Sequence, residues 1–230
     1  MLSSFKAVFF DAGGTLFHPY PSVGEIYGRD PRNYGCLANP EALDQLFRSA
    51  WLKRDGLAQL AGHSSEKIEK DWWRDLVGEV FLQAGGVKDF QIFFEELYDI
   101  FARPEVWRLY SDVLNVLQEL KRRHKKLAVI SNWDSRLFRL CEGLGLQHYF
   151  EVILASAVFG ASKPNPRIFE EALRRLQVAP HEAVHIGDSF EDDIQGERLA
   201  GIKAILIDRR SHGRKFQDIE TIAGLTALLG

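Results

Sequence analysis

Residues 8–17 read VFFDAGGTLF. With Lys6 and Ala7 in front, the short, apolar, partly β-branched run KAVFF reads as a strand buried on both faces. Asp11 then sits at that strand's carboxyl end, and Gly13 and Gly14 turn the chain away from it. An aspartate followed by glycines is ordinary turn chemistry. It becomes a candidate nucleophile only if other reactive groups arrive at the same place, so the question is what the remaining strands deliver.

After Trp107 apolar runs and amphipathic segments alternate: DVLNVLQELKRRH as a helix, KLAVIS as a strand, LFRLCEGLGL as a helix and FEVILAS as a strand. Then come RIFEEALRRL as a helix with Asn165 at its N-cap and Pro166 in its first position, AVHIGD as a strand, EDDIQGERLAG as a helix, KAILID as a strand and IETIAGLTALL as a closing helix. Strands alternating with helices pair in parallel. Between about Tyr20 and Arg103 the apolar and aromatic residues recur at helical spacing, with no convincing strand. The fold class expected is α/β: a doubly wound, Rossmann-like parallel sheet formed by 1–17 and 106–230, with an all-helical domain inserted over 18–105.

In such sheets ligands bind beyond the carboxyl ends of the strands. Asp11 ends one strand, Ser131 and Asn132 end a second, Lys163 follows a third, and GDSFEDD at 187–193 ends a fourth. A carboxylate, a hydroxyl, an ammonium and an acidic cluster therefore converge.

Composition narrows the classes. The net charge of −3 leaves no basic footprint for nucleic acid, and the run KRRHKK at 121–126 is short enough to be a helix C-terminus. Cys36 and Cys141 stand far apart with no C-x-x-C partner, which points away from disulfide or zinc frameworks and toward a reducing, cytoplasmic setting. The N-terminal segment is too short in apolar residues for a secretory or membrane-spanning segment.

DAGGTL, VISN, SKPNPRIFEEAL and HIGDSFEDDIQGERLAG, in this order and spacing, resemble the motifs of the haloacid dehalogenase superfamily, in the branch whose helical cap follows the first motif. SNWDSRL and HIGDS resemble the branch named after a rhythmically expressed gene. The resemblance implies that Asp11 attacks phosphorus and forms an aspartyl phosphate that water hydrolyses. It implies Mg2+ held by Asp11, the Gly13 carbonyl and Asp188, a hard cation on oxygen ligands. Asp193 and Asp192 would orient bound water or balance Lys163. Ser131 and the backbone N–H of Asn132 would hold a phosphoryl oxygen, with Thr15 supporting that pocket, and Lys163 would neutralise charge on nucleophile and substrate. The substrate expected is a small phosphorylated metabolite.

One position departs. Phosphatases of this superfamily usually carry a second aspartate two residues after the nucleophile, as acid and base; here Gly13 stands there. A backbone carbonyl can still ligate the metal, but the proton carrier, typically worth about 10²–10⁴ in rate, is gone. Asp134, His18 and His185 are the candidate substitutes, each with a structural alternative: a helix cap, a hinge and a hydrogen-bonded strand residue. Glycine is also what a positive φ or a closely pressing cap would require.

Gly13 equally fits a dehalogenase, a non-catalytic binding module that keeps the pocket, or a phosphonoacetaldehyde hydrolase with Lys53 forming a Schiff base. The acidic GDSFEDD favours a metal-dependent enzyme over a dehalogenase, and Lys53 in WLKR reads more simply as a solvated helix flank. Trp51, Trp72 and Trp73 are expected to pack the inserted helices rather than contact substrate.

Overall fold

The computed structural model describes residues 2–29, 34–54, 56, 57, 60, 62, 64–209, 213, 216 and 218–230. The chain enters through β1 (Ala7–Phe10) and leaves the sheet through β2 (Phe17–Pro19). It then runs through α1 (Val23–Tyr27), α2 (Pro40–Lys53), α3 (Glu66–Gln83) and α4 (Phe90–Phe101), and returns in β3 (Trp107–Leu109). From there α5 (Val113–Arg122), β4 (Lys126–Ser131), α6 (Arg136–Gly143), β5 (Val152–Ala155), α7 (Ser156–Phe159) and α8 (Pro166–Leu176) follow. The chain closes with β6 (Ala183–Gly187), α9 (Gln195–Ala200), β7 (Lys203–Ile207) and β8 (Glu220–Ile222).

Six strands form one parallel sheet in the order β5-β4-β1-β6-β7-β8. The chain first winds outward from β1 through β4 to β5 and then crosses back to β6, so the order reverses between β1 and β6, where a crevice opens in doubly wound folds. Both faces are covered. Val8, Phe10, Leu127, Val129, Val184 and Ile186 point to the face covered by α5 and α6, while Ala7, Phe9, Ala128, Ile130 and Ala183 point to the face covered by α8. That is why β1 and β4 read as apolar runs, and β6 as one broken only by His185: successive side chains alternate faces, and each face meets a helix. Phe10 is level with Val129 on one side and Ile186 on the other, which brings Asp11, Ser131 and Asp188 to one edge.

The inserted helices share a separate apolar cluster that includes Tyr27, Leu43, Leu76, Val80, Phe81, Phe93, Phe94 and Leu97. Their ends follow local chemistry: the Asn39 side chain caps α2 at the Ala42 N–H, Ser65 caps α3 at the Ile68 N–H, and Gly85 and Gly86, both at positive φ, end α3 where other residues are disfavoured.

Three features differ from the sequence reading. The outgoing and returning segments pair as an antiparallel ribbon, Pro19 opposite Trp107, where no strands were expected. IETIAGLTALL is not a helix: β8 completes the β7 edge, and after Gly224 a 3-10 turn over Leu225–Leu229 buries Leu225 and Leu228. The β-branched Thr221 and Ile222 satisfy an open sheet edge, a demand that helical spacing of a few leucines does not reveal. EDDIQGERLAG opens as a wide π turn, Phe190–Ile194, because the Ser189 carbonyl receives the N–H groups of both Asp193 and Ile194.

Candidate active site

The turn after β1 is fixed from several sides. The Ala12 carbonyl accepts from the N–H groups of Thr15, Leu16 and Phe17, Gly14 donates to the Phe17 carbonyl, and Arg209 donates to the Thr15 carbonyl at 2.7 Å. Gly14 has φ +81, and a Cβ there would stand 2.2 Å from Asp188 Oδ2. The missing side chain is the space that the Asp188 carboxylate uses.

Asp11 Oδ1 accepts from Ser131 Oγ at 2.9 Å and from Lys163 Nζ at 2.6 Å. Two donors on one oxygen fix the rotation of the carboxylate. Lys163 Nζ also donates to Asp193 Oδ1 at 2.5 Å, so one ammonium bridges two buried carboxylates. Its loop is held by Asn132, whose side chain accepts from the Lys163 N–H at 2.8 Å and donates to the Lys163 carbonyl at 3.0 Å. Asp193 is aimed by the π turn: its Oδ2 accepts from the Ser189 N–H, and its Oδ1 also lies 3.1 Å from His185 Nε2. π turns recur at functional sites because the extra residue re-aims a side chain.

Burial raises the Asp11 carboxyl, with Lys163 opposing it. Burial also pushes Asp188 up to about 8, with Asp11 and Asp193 adding to the effect, and Asp192 up to about 6. At Lys163 burial works against the charge, but Asp11 and Asp193 outweigh it and hold the ammonium protonated far above neutrality. At Asp193 burial is likewise outweighed, by Lys163 and His185, and the carboxyl stays ionised. A site with four carboxylates facing one lysine has a surplus of buried negative charge, which a bound cation would offset.

A cavity of about 440 Å³ opens above these groups. Asp11, Asp188 and Asp192 lie at its floor, while the inserted helices supply an aromatic wall. Ring contacts run from Trp133 to Trp107 at 5.2 Å, on to Phe101 and then to Tyr27. They continue through Phe47 and Trp51 to Trp73, whose indole N–H donates to Asp134 at 2.6 Å, the residue next to Trp133. The belt thus returns to its start.

The structure brings Asp11, Gly13, Ser131, Asn132, Lys163, Asp188, Asp192 and Asp193 to one cavity. Thr15 is fully buried and does not line it; its hydroxyl finds no partner among the described residues. Asn132 spends its side chain on Lys163, leaving its backbone N–H as the group available to a phosphoryl oxygen. None of the three acid candidates is placed to transfer a proton. Asp134 is fully buried and accepts from the Arg136 N–H and guanidinium and from Trp73. His185 is buried behind Asp193, and burial lowers its affinity for a second proton. His18 packs on Tyr110 and Tyr20, away from the cavity wall. Lys53 is 72% exposed and paired with Glu79, which removes it as a Schiff-base lysine. Trp72 packs as expected, whereas Trp51 and Trp73 line the cavity.

Trp133 is the residue that motif reading missed. A Cβ at Gly13 would stand 2.8 Å from Trp133 Cζ3, closer than real contacts allow. Gly13 is therefore required by a close neighbour, not by a positive φ.

A family model of haloacid dehalogenase-like hydrolases matches residues 5–201. The chain belongs to this hydrolase family. Its relatives include the human haloacid dehalogenase-like hydrolase domain-containing protein 3, 37% identical over 86% of this chain and 80% of that protein. A phosphoserine phosphatase of Thermus thermophilus is 34% identical over 89% of each chain, and the rhythmically expressed gene 2 protein of Drosophila melanogaster is 26% identical over 92% of this chain and 86% of its own length. Among solved structures, a HAD phosphatase from Thermococcus onnurineus superimposes with a TM-score of 0.68 at 26% identity, covering 97% of this chain and 96% of that one. A dehalogenase superimposes at 0.78 with 22% identity, covering 99% and 97%, and shows the shared fold. Among the described residues no helix is long and apolar enough to cross a membrane.

Proposed function

We propose that this hydrolase is a magnesium-dependent phosphohydrolase that acts on a small phosphorylated metabolite through an aspartyl phosphate on Asp11. The observation that carries the reading is the Lys163 bridge, 2.6 Å to Asp11 and 2.5 Å to Asp193, beside a Ser131 hydroxyl on the same Asp11 oxygen. A nucleophilic carboxylate that must meet a dianionic phosphoryl group needs that cation to offset repulsion. The phosphatase relatives support phosphate chemistry in this family.

Among the described residues no three His, Cys, Asp or Glu side chains gather as a metal site. Two carboxylates and a carbonyl suffice for Mg2+, which keeps several waters. The donor set fits: Asp11 and Asp188 are hard oxygen donors, their negative charge is in surplus, and Gly14 leaves room for the Asp188 carboxylate. Asp11, the Gly13 carbonyl and Asp188 would hold the ion, which when bound supplies charge neutralisation at the phosphoryl oxygens. The protein's own groups do the rest. Asp11 attacks phosphorus in line; Ser131 and the Asn132 N–H hold an equatorial oxygen; Lys163 balances the developing charge. Asp193 keeps Lys163 in place.

Trp133 blocks a side chain at Gly13, and among the described residues Asp134, His18 and His185 are engaged elsewhere, so none of these candidate acids serves the leaving group. That observation favours, as a second reading, a hydrolase whose leaving group needs no proton, a dehalogenase included. Residues 18–105 form the cap in this reading, closing the cavity over the substrate. The two cysteines are buried free thiols, which supports a cytoplasmic setting. A panel of metabolite phosphates and 2-haloacids, assayed with and without Mg2+ and with Asp11→Asn as control, tests the reading. Release of phosphate that depends on both Mg2+ and Asp11 is the expected outcome; Mg2+-independent release of halide would overturn it.

A further inference from the structure

We propose that the cavity selects phosphate monoesters of flat, uncharged aromatic hydroxyl compounds, an inference that rests on the phosphohydrolase reading and names its substrate class. Three independent features converge on it.

The first is chemical. Trp133 stands where a side chain at Gly13 would begin, and Asp134, His18 and His185 are all engaged elsewhere, so the site favours an oxygen that can leave phosphorus as a stable anion. A phenol has a pKa of about 10, against about 15.7 for water as the hydroxyl reference, so an aryloxide is the leaving oxygen least in need of help. In the step proposed, an Asp11 carboxylate oxygen forms a bond to phosphorus while the phosphorus–aryloxide bond breaks and its electron pair stays on the aryloxide. Water then attacks phosphorus and restores the Asp11 carboxylate. Inorganic phosphate is released, and the water's proton balances the aryloxide.

The second is shape and surface. The space of about 440 Å³ far exceeds a phosphoryl group and lies within the range of small-molecule sites. Its wall is the belt of rings from Trp133 round to Trp73, which offers edges and faces to a flat π system.

The third is charge. Beyond the catalytic floor, Arg136 is the only charged side chain among the described residues that line the cavity. It is already neutralised: Asp134 accepts from its Nε and from its second terminal nitrogen at 2.6 Å, and its guanidinium lies 4.9 Å from the Trp73 ring and 4.3 Å from that of Tyr98. A charged leaving group finds no unpaired partner there, so desolvating it would cost affinity.

The test compares 2-naphthyl phosphate with phenyl phosphate, whose leaving groups are of similar acidity, alongside hexyl phosphate and acetyl phosphate, all with Mg2+. The proposal expects a KM for 2-naphthyl phosphate about tenfold below that for phenyl phosphate, equivalent to about 1.4 kcal/mol of binding. Turnover of hexyl phosphate should be far slower than of either. In Trp51→Ala the naphthyl advantage should shrink toward unity; Phe47→Leu serves the same purpose should that variant fail to fold. Equal KM values for the two aryl esters, or hexyl phosphate as good a substrate, with acetyl phosphate still hydrolysed, would overturn the substrate class and leave the phosphohydrolase reading standing. Failure to hydrolyse any of the four, acetyl phosphate included, would overturn both.

Discussion

The Trp133 indole stands against Gly13, 2.8 Å from where a Cβ on that glycine would lie. Where relatives usually carry an acid aspartate, this chain has a glycine whose Cβ direction is blocked by an aromatic ring. Phe17, edge-to-face at 5.6 Å, and Trp107, tilted at 5.2 Å, pack against that ring, so it cannot swing aside freely.

Gly13→Asp alone should therefore destabilise the protein by about 1–3 kcal/mol through overpacking. Restoring the acid requires room as well as a carboxyl. Gly13→Asp combined with Trp133→Ala should be more stable than the sum of the two single changes and should gain turnover on alkyl phosphates, while Gly13→Asp alone gains none. Denaturant unfolding and alkyl-phosphate assays of the four proteins check this; strict additivity would deny that the two residues compete for one space.

Lys163→Met should unfold more easily by about 3–5 kcal/mol, because it leaves Asp11 and Asp193 buried without their shared cation. Asp193→Asn retains one partner for the lysine and should cost less. Urea denaturation ranks the two variants.

The metal-free protein should lose stability as pH rises from about 6.5 to 8. The Asp188 carboxyl is pushed up to about 8, above its ordinary 3.8, so the folded state holds that proton more tightly than the unfolded state. Its contribution is full below about pH 4 and is lost as pH climbs toward 8; Asp192, pushed up to about 6, adds the same sign over the lower part of that window. Asp193, whose carboxyl is lowered, acts oppositely at more acid pH, and His185, whose affinity for a second proton is lowered by burial, acts oppositely up to about its ordinary 6.5. Asp188→Asn should flatten the decline between about pH 6.5 and 8 and should abolish stabilisation by Mg2+, both read from thermal melting. A wild-type-like slope and Mg2+ response in that variant would remove Asp188 from the metal site.

Cys141 should resist alkylation in the native protein. Its thiol is fully buried, and burial pushes it up to about 12. Iodoacetamide labelling at neutral pH, followed by peptide mass spectrometry, should find it modified only after unfolding.

What the sequence made legible follows from which signals are local. β1 and β4 are apolar runs, β6 is apolar except for His185, and each leads into a polar residue, so the sheet and the convergence of Asp11, Ser131 and Asp188 could be read from spacing alone. The inserted helices announce themselves by apolar spacing and by Asn39, Ser65 and the Gly85–Gly86 pair. Trp133 could not be read that way, because its meaning lies in a contact with a glycine in another segment, and nothing near it in sequence marks the approach. The aromatic belt is invisible for the same reason: its rings come from residues between 27 and 133, and at helical spacing an aromatic that lines a cavity looks like one that packs a core. Asn132 shows the limit of motif reading, since its side chain serves the backbone of Lys163, 31 positions away.

The most direct test of the account is to identify the group on Asp11 during turnover. Protein mixed with an aryl phosphate and Mg2+, quenched in acid within the first turnovers and digested, should yield the peptide containing Asp11 carrying one phosphoryl group, and Asp11→Asn should yield none. Phosphate release by the wild type with that peptide unmodified at every quench time, or undiminished release by Asp11→Asn, would contradict it.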